Sequence, residues 1–273
     1  MARVPTVISI AGSDSGGGAG VQADLKAFAR IGVHGTTAIT AITAQNTVGV
    51  EIVEAVSPRT IIAQVRMVAD DIGVDAVKIG MLGAAETVEA VVEALVHVGD
   101  APVVIDPVMI AESGAILLED EARRLCIEKL LPLATVVTPN IPEARVLTGS
   151  AEDISQQDLA RAVVALGPKA AVVTGGHSDA VVDYFYAGEG VTPIHGPRYE
   201  AGASHGSGCT HSASLAAFLA LGHDLLGAAE KAREITSEAV KNGLREIGAG
   251  AGPVDVFGLA AAAARRPRPQ SAA

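Results

Sequence analysis

Two glycine-rich stretches hold the residue types best suited to chemistry: AGSDSGGGAG at 11–20 and HGSGCT at 205–210. The second runs straight into HSASLAAFLALG, where Leu215, Phe218 and Leu219 share one helical face. Glycines that open a helix leave several N–H groups free at the positive end of its dipole. Gly206 to Gly208 therefore read as an anion hole, suited to charge developing on a transferring phosphoryl group. Cys209 falls in the first helical turn, where a thiol's pKa is expected to drop. It reads either as a base or hydrogen-bond acceptor for an attacking hydroxyl, or as a small buried residue with inert sulfur. Cys126, on a helical run with Leu125 and Leu130, reads as core.

The first stretch has five glycines between Gly12 and Gly20, so its backbone amides can approach a ligand with no Cβ in the way. It fits no G-x-G-x-x-G fingerprint, carries no Gly-Lys-Ser/Thr, and places Asp14 where a nucleophile elbow needs serine. A flexible surface loop and a ligand-pocket wall both remain open for it. TPNIPEA at 138–144 sets Asn140 and Glu143 in an N-x-x-E arrangement, an amide and a carboxylate suited to a hydrated Mg²⁺. Glu143 could equally just begin a helix. Asp106, before Pro107, adds a second carboxylate that would help the metal or cap the next turn. His177 follows two glycines and His205 opens the anion-hole motif, which makes both site candidates. His34, His97, His195 and His223 lack metal-ligand spacing, and His205 and His211 are too far apart for an i, i+4 zinc pair.

These residues need elements to hold them. VPTVISIAG (4–12), AVKIG (76–80), PVVID (102–106), TVVT (135–138) and KAAVVT (169–174) are short, unbroken apolar runs, as strands covered on both faces should be. Helical patterns alternate with them. Leu25, Phe28 and Ile31 share a face before a Gly32 C-cap, and Ser57-Pro58 opens a helix with Ile61, Val65, Val68 and Ile72 inward. Ser155 with Asp158 resembles a capping box ahead of Leu159, Ala162, Val163 and Leu166. The alternation predicts an α/β fold with a doubly wound, mostly parallel sheet and helices on both faces. VVDYFYAG (181–188) and the following VTPIH predict an antiparallel edge excursion. No Pro/Ser linker intervenes, so residues 1–260 are expected to form a single domain and 261–273 a disordered tail. In such sheets ligands bind beyond the carboxyl ends of the strands. Gly12–Gly20, Gln45–Asn46, Gly80–Gly83, Asp106–Pro107, Asn140–Glu143 and Gly175–His177 all fall there.

Bulk properties narrow the function. The chain has 273 residues, 49% of them hydrophobic and 3% aromatic, enough for a sizeable aliphatic core. A formal net charge of −11 argues against nucleic acid or an anionic membrane as partner, though not against small anions held by local amides and metals. Two cysteines are too few for a disulfide scaffold. Residues 1–12 lack signal-peptide character and no apolar run reaches about 18 residues, so a cytoplasmic protein is expected.

ISIAGSDSGGGAGVQADLKAF, TAITAQNTVGV, KIGMLG, VIDPVM, VTPNIPEA, GGH and HGSGCTHSASLAA resemble, in unbroken order, the hydroxymethylpyrimidine/phosphomethylpyrimidine kinases of thiamine biosynthesis. The resemblance implies a ribokinase-like fold, Mg²⁺ with ATP, a homodimer, and phosphorylation of 4-amino-5-hydroxymethyl-2-methylpyrimidine and then of its monophosphate. It also implies that Gln45 reads the pyrimidine edge, whose donor and acceptor match a side-chain amide. Gly12, Asp24 and Met81 would line the same pocket. Asn140 and Glu143 match the Mg-ATP motif, Thr174, Gly176 and His177 the ATP loop, and Gly206 to Gly208 the anion hole. Cys209 holds the position of the catalytic aspartate of ribokinases proper. Two residues depart from the family: Thr174 replaces the usual lysine of V-K-G-G-H, and Glu112 stands where A-K-S-G or A-T-S-G is common. Losing a cation and gaining an acid there predicts a lower-turnover or re-specialised kinase, poor at the second phosphorylation. A pyridoxal or pyridoxine kinase is the close alternative, and a pyrimidine-binding regulatory protein with weakened catalysis a further one.

Overall fold

The computed structural model describes residues 3–110, 114, 117–175, 181–199 and 203–265. Nine strands form one sheet in the order β3-β2-β1-β4-β5-β6-β7-β8-β9 among these residues. The strands are β1 Thr6–Ser13, β2 His34–Gln45, β3 Val50–Ala55, β4 Ala76–Ile79, β5 Val103–Ile105, β6 Val136–Val137, β7 Ala170–Val173, β8 Val182–Tyr186 and β9 Thr192–His195. From β2 through β7 all pairings are parallel. β3 pairs antiparallel with β2, and β8 and β9 add an antiparallel edge after β7. The doubly wound, ribokinase-like prediction and the edge excursion both hold.

Unbroken apolar runs do not reveal β2 and β3. Buried and open positions alternate along β2, and β3 is mostly exposed, as one-sided strands should be. The helices are α1 Gly20–Ile31, α2 Pro58–Asp71, α3 Ala85–Ala94, α4 Asp120–Leu125, α5 Ile141–Thr148, α6 Gln156–Val164, α7 Ser207–Ala220, α8 Leu225–Lys241 and α9 Leu259–Ala264. Ser57 caps α2 by accepting from Thr60 N, and Ser155 caps α6 by accepting from Asp158 N. One core lies between the sheet and α2 to α6, built on Ile8, Ile10, Ile61, Val65, Val77 and Val163. The other lies between the sheet and α1, α7 and α8, built on Val7, Phe28, Val104, Leu215 and Ala232. Strand alternation sends neighbours such as Val7 and Ile8 to opposite cores.

Three expectations need correction. Ile72 is not inward: it is 41% exposed, because it lies beyond the last residue of α2 as its C-cap. The buried face of α1 carries Val21, Asp24 and Phe28, whereas Leu25 is at the surface. A carboxylate there defeats a reading based on apolar spacing. Residues 261–264 belong to α9, whose first turn is held by Asp255 accepting from Leu259 N at 2.8 Å and Ala260 N at 2.9 Å. The rest of the expected tail, from 266, lies outside the described residues.

Candidate active site

A cavity of about 700 Å³ opens at the carboxyl ends of the parallel strands. Gly12, Gln45, Met81, Asp106, Asn140, Glu143, Thr174, His205, Gly206, Gly208 and Cys209 all lie on its wall. Asp24 does not: it is fully buried behind the wall, where it pairs with Lys78. Gly176, His177 and Glu112 lie outside the described residues.

The 11–20 loop is not a flexible surface loop, because Asp14 organises it. The Asp14 Oδ1 atom accepts from Gly16 N at 2.8 Å, and Oδ2 accepts from Gly18 N at 3.0 Å and Ala19 N at 2.8 Å. His205 Nε2 lies 3.2 Å from the same Oδ2. Burial alone would raise the Asp14 pKa, but the His205 contact and these N–H donors outweigh it and hold it below its ordinary value. The second loop packs against the first backbone to backbone. Gly206 has φ +81°, and a Cβ there would fall 1.8 Å from Gly18 O, so only glycine fits. Beside this loop Gln45 is fixed through its main chain, its N–H donating to Ser15 Oγ at 2.8 Å. A side chain at residue 12 would press on Met81, with Cε only 3.1 Å from the added Cβ.

At the other end of the cavity stand two carboxylates that disfavour each other's charge. Desolvation and the negative charge of Asp106 push the Glu143 pKa up to about 8. Asp106 is raised as well, by burial above all and with Asp24 adding to it, although Ser212 Oγ donates to its Oδ2 at 3.1 Å. Asn140 and Glu143 form a full capping box at the start of α5: Asn140 Oδ1 accepts from Glu143 N and Glu143 Oε2 from Asn140 N, both at 2.9 Å. The N-x-x-E spacing is thus first a helix start. Its carboxylate nevertheless faces the cavity beside Asp106, and two hard oxygen donors whose charges repel suit Mg²⁺, which keeps most of its waters. Among the described residues no cluster of three or more His, Cys, Asp or Glu side chains could hold a metal.

The Cys209 thiol departs from expectation. Desolvation pushes its pKa up to about 12, and the charges of Asp106 and Asp24 add to this. Lys78 and a hydrogen bond from Gly20 N–H pull the other way without prevailing. The helix-start effect is outweighed because the sulfur sits between the two loops and next to carboxylates. Cys126 is core, as expected.

A match to the phosphomethylpyrimidine kinase family spans residues 14–255. The chain belongs to that family. It is similar to the hydroxymethylpyrimidine/phosphomethylpyrimidine kinase of Haemophilus influenzae, at 46% identity over 93% of this chain and 97% of that one. Among solved structures it resembles phosphomethylpyrimidine kinase from Clostridium difficile, with 39% identity, a TM-score of 0.77, and coverage of 88% of this chain and 100% of that chain. It also resembles an ADP complex of Bacillus subtilis pyridoxal kinase, with 36% identity, a TM-score of 0.86, and coverage of 94% and 99%.

Two clusters in this member of the phosphomethylpyrimidine kinase family escaped the motif reading. Lys78 is fully buried yet lines the cavity, and its Nζ lies 3.0 Å from Asp24 Oδ2. Its signal was a lysine inside an apolar strand run. Asp183, Arg233 and His211 form the second cluster: Asp183 Oδ1 accepts from Gly175 N at 2.9 Å, and Arg233 Nη1 lies 3.3 Å from Asp183 Oδ2. These residues come from β8, α8 and α7, and no spacing in the sequence joins them.

Proposed function

We propose that this chain, as a single kinase domain, phosphorylates 4-amino-5-hydroxymethyl-2-methylpyrimidine with ATP and then phosphorylates the monophosphate, in thiamine biosynthesis. One observation carries the reading: a rigid glycine loop beside Gln45 and Met81 is packed directly against a glycine-started helix N-terminus on the wall of one cavity. Gly12, Gln45 and Met81 line the acceptor end, and Asn140 and Thr174 the ATP end. In the Gly206–Cys209 turn Ser207 N–H already donates to Ser204 O at 2.9 Å, and the open amides of Gly208 and Cys209 would face the γ-phosphoryl group, where aimed N–H dipoles stabilise developing charge. Asp106 and Glu143 would hold Mg²⁺, which neutralises charge on the phosphates when bound. A homodimer in the cytoplasm fits this reading.

In the transfer, the hydroxymethyl oxygen forms a bond to the γ-phosphorus. The bridging bond to the β-phosphate breaks, and its electron pair stays on ADP. Phosphoryl transition states are loose, so the hydroxyl proton leaves late and little activation of the nucleophile is needed. It ends on a phosphoryl oxygen of the product and passes from there to water. A neutral Cys209 thiol serves this chemistry by accepting the hydroxyl's hydrogen bond and aiming its lone pair. A thiolate base is disfavoured by the upward shift of the thiol.

Coupled ATP turnover with the hydroxymethylpyrimidine, its monophosphate and pyridoxine tests the proposal. Turnover with both pyrimidines above pyridoxine is expected. Preference for pyridoxine would favour the alternative, which the higher TM-score to a pyridoxal kinase keeps specific. Binding without turnover would make the chain a regulatory homologue. With threonine at 174 and glutamate at 112, the monophosphate step is expected to be the slower one. Lysine at both positions should raise kcat/KM for it, and no gain would remove that part of the proposal.

A further inference from the structure

The most deeply buried charge at the cavity has no part in the mechanism above. Lys78 lies on β4, on the face covered by α1 and α7, and is 0% exposed to solvent while still forming part of the cavity wall. Its surroundings hold it in place. Asp24 Oδ2 is 3.0 Å from Nζ and also accepts from Ser9 Oγ at 2.6 Å. A side chain at residue 80 would bring a Cβ within 2.7 Å of Nζ, so Gly80 keeps the path of the lysine clear. Desolvation works against the ammonium, but Asp24, Cys209 and Asp106 outweigh it and hold its pKa above the ordinary value.

A charge fully removed from water is destabilising unless it is paired, and a well-packed apolar pair is often as stable as a buried ion pair. Structural need alone therefore does not account for a lysine and an aspartate spanning the sheet and α1 at this point. The pair does have an asymmetry. Its anion is sealed behind the wall, and its cation faces the cavity beside Cys209 and Asp106.

We propose that Lys78 is the fixed cation of the reaction, placing a permanent positive charge behind the acceptor oxygen and the transferring phosphoryl group, with Asp24 and Ser9 as its positioning residues. This rests on the kinase reading. As the new oxygen–phosphorus bond forms and the bridging bond breaks onto ADP, negative charge spreads over the phosphoryl oxygens and the acceptor oxygen loses its proton. A charge already oriented in a water-poor wall stabilises that distribution with no reorganisation.

The test compares Lys78→Met, Lys78→Ala and the double variant Asp24→Asn/Lys78→Met with the wild type. For Lys78→Met, kcat should fall about 100-fold or more while KM for ATP and pyrimidine stays within about threefold, the pattern of an interaction made in the transition state. The extra affinity for ADP–aluminium fluoride over ADP alone should vanish. That binding readout judges Lys78 even if the wild type turns over neither pyrimidine, an outcome that would instead sink the kinase reading. In Lys78→Ala, propylammonium entering from the cavity should restore turnover at least about tenfold, and 1-propanol, its neutral match in shape, should not. The double variant removes both charges, so its Tm should recover toward wild type with turnover still as low as in Lys78→Met. Recovery of turnover in the double variant would reduce Lys78 to a partner for Asp24 and overturn the proposal. So would a Lys78→Met enzyme within threefold of wild type in kcat and analogue affinity, or equal rescue by the alcohol.

Discussion

Asp14 gathers three backbone N–H groups of the first glycine loop onto its own carboxylate, whereas α7 starts at Gly206 with no side-chain cap at all. Both stretches are glycine-rich and they touch, yet one has its amides satisfied internally, whereas in the other Ser207 N–H donates to Ser204 O at 2.9 Å and the amides of Gly208 and Cys209 stay open at the cavity wall. The carboxylates follow the same division. Asp14 is held below its ordinary pKa by donors, whereas burial raises Asp106 and Glu143, with the charge of Asp24 adding to the first and that of Asp106 to the second. A loop that completes its own hydrogen bonds is a wall, set in shape before any ligand arrives. A helix start with open amides beside disfavoured carboxylates is an electrostatic site, shaped to take an anion and a cation.

Several measurements would break or sharpen that contrast. The largest effect is expected from Gly206→Ala, which removes the positive-φ residue and drives a Cβ into Gly18 O. Both loops must part, and kcat/KM should fall by about 10²- to 10³-fold in the turnover assay. An active Gly206→Ala enzyme would mean that loop contact does not matter. Asp14→Asn comes next. Its amide cannot accept from Gly18, Ala19 and His205 as the carboxylate does, so stability should drop by about 2 kcal/mol. The sign with pH follows from the lowered pKa: the carboxylate's contribution is complete above its unfolded value near 3.8 and is lost as pH falls through the lower folded value. Thermal melts of the two proteins should therefore differ at pH 7 and converge in strong acid.

Cys209→Ala should cost about tenfold in kcat if the thiol only aims the hydroxyl, with Cys209→Ser retaining most of the activity. The pH profile decides the form of the sulfur. A neutral thiol with a pKa of about 12 gives a wild-type kcat that is flat from pH 7 to about 10, whereas a thiolate base would make it climb with pH. The smallest change is expected from Thr174→Lys, a few-fold lower KM for ATP, since the residue lines the cavity where ATP is proposed to bind and gains a charge there.

Much of the architecture is legible in local pattern. The five strands β1, β4, β5, β6 and β7 show as short runs rich in Val, Ile and Ala, because strands buried on both faces meet mostly apolar neighbours, Ser9 and Lys78 against Asp24 excepted. Ser57 and Ser155 announce their helices because a cap is a contact within three residues. β2 and β3 are hidden by their one-sided exposure, and Asp24 is hidden by its own polarity on the buried face of α1.

By itself the sequence determined the α/β class and the residues that end the buried parallel strands, since these reside in local spacing, and its ordered motifs carried the family resemblance. The two glycine loops were visible in it, but not that they lie against each other or that Asp14 is what stiffens the first. Nor could it show that Lys78 and Asp24, 54 positions apart, share one buried ion pair. Likewise, the cysteine at a helix start finds itself desolvated among carboxylates, so its pKa rises where helix position alone would lower it. Hydrogen bonds between loops, and the electrostatics of burial, depend on which distant segments meet, and only the folded sheet decides that.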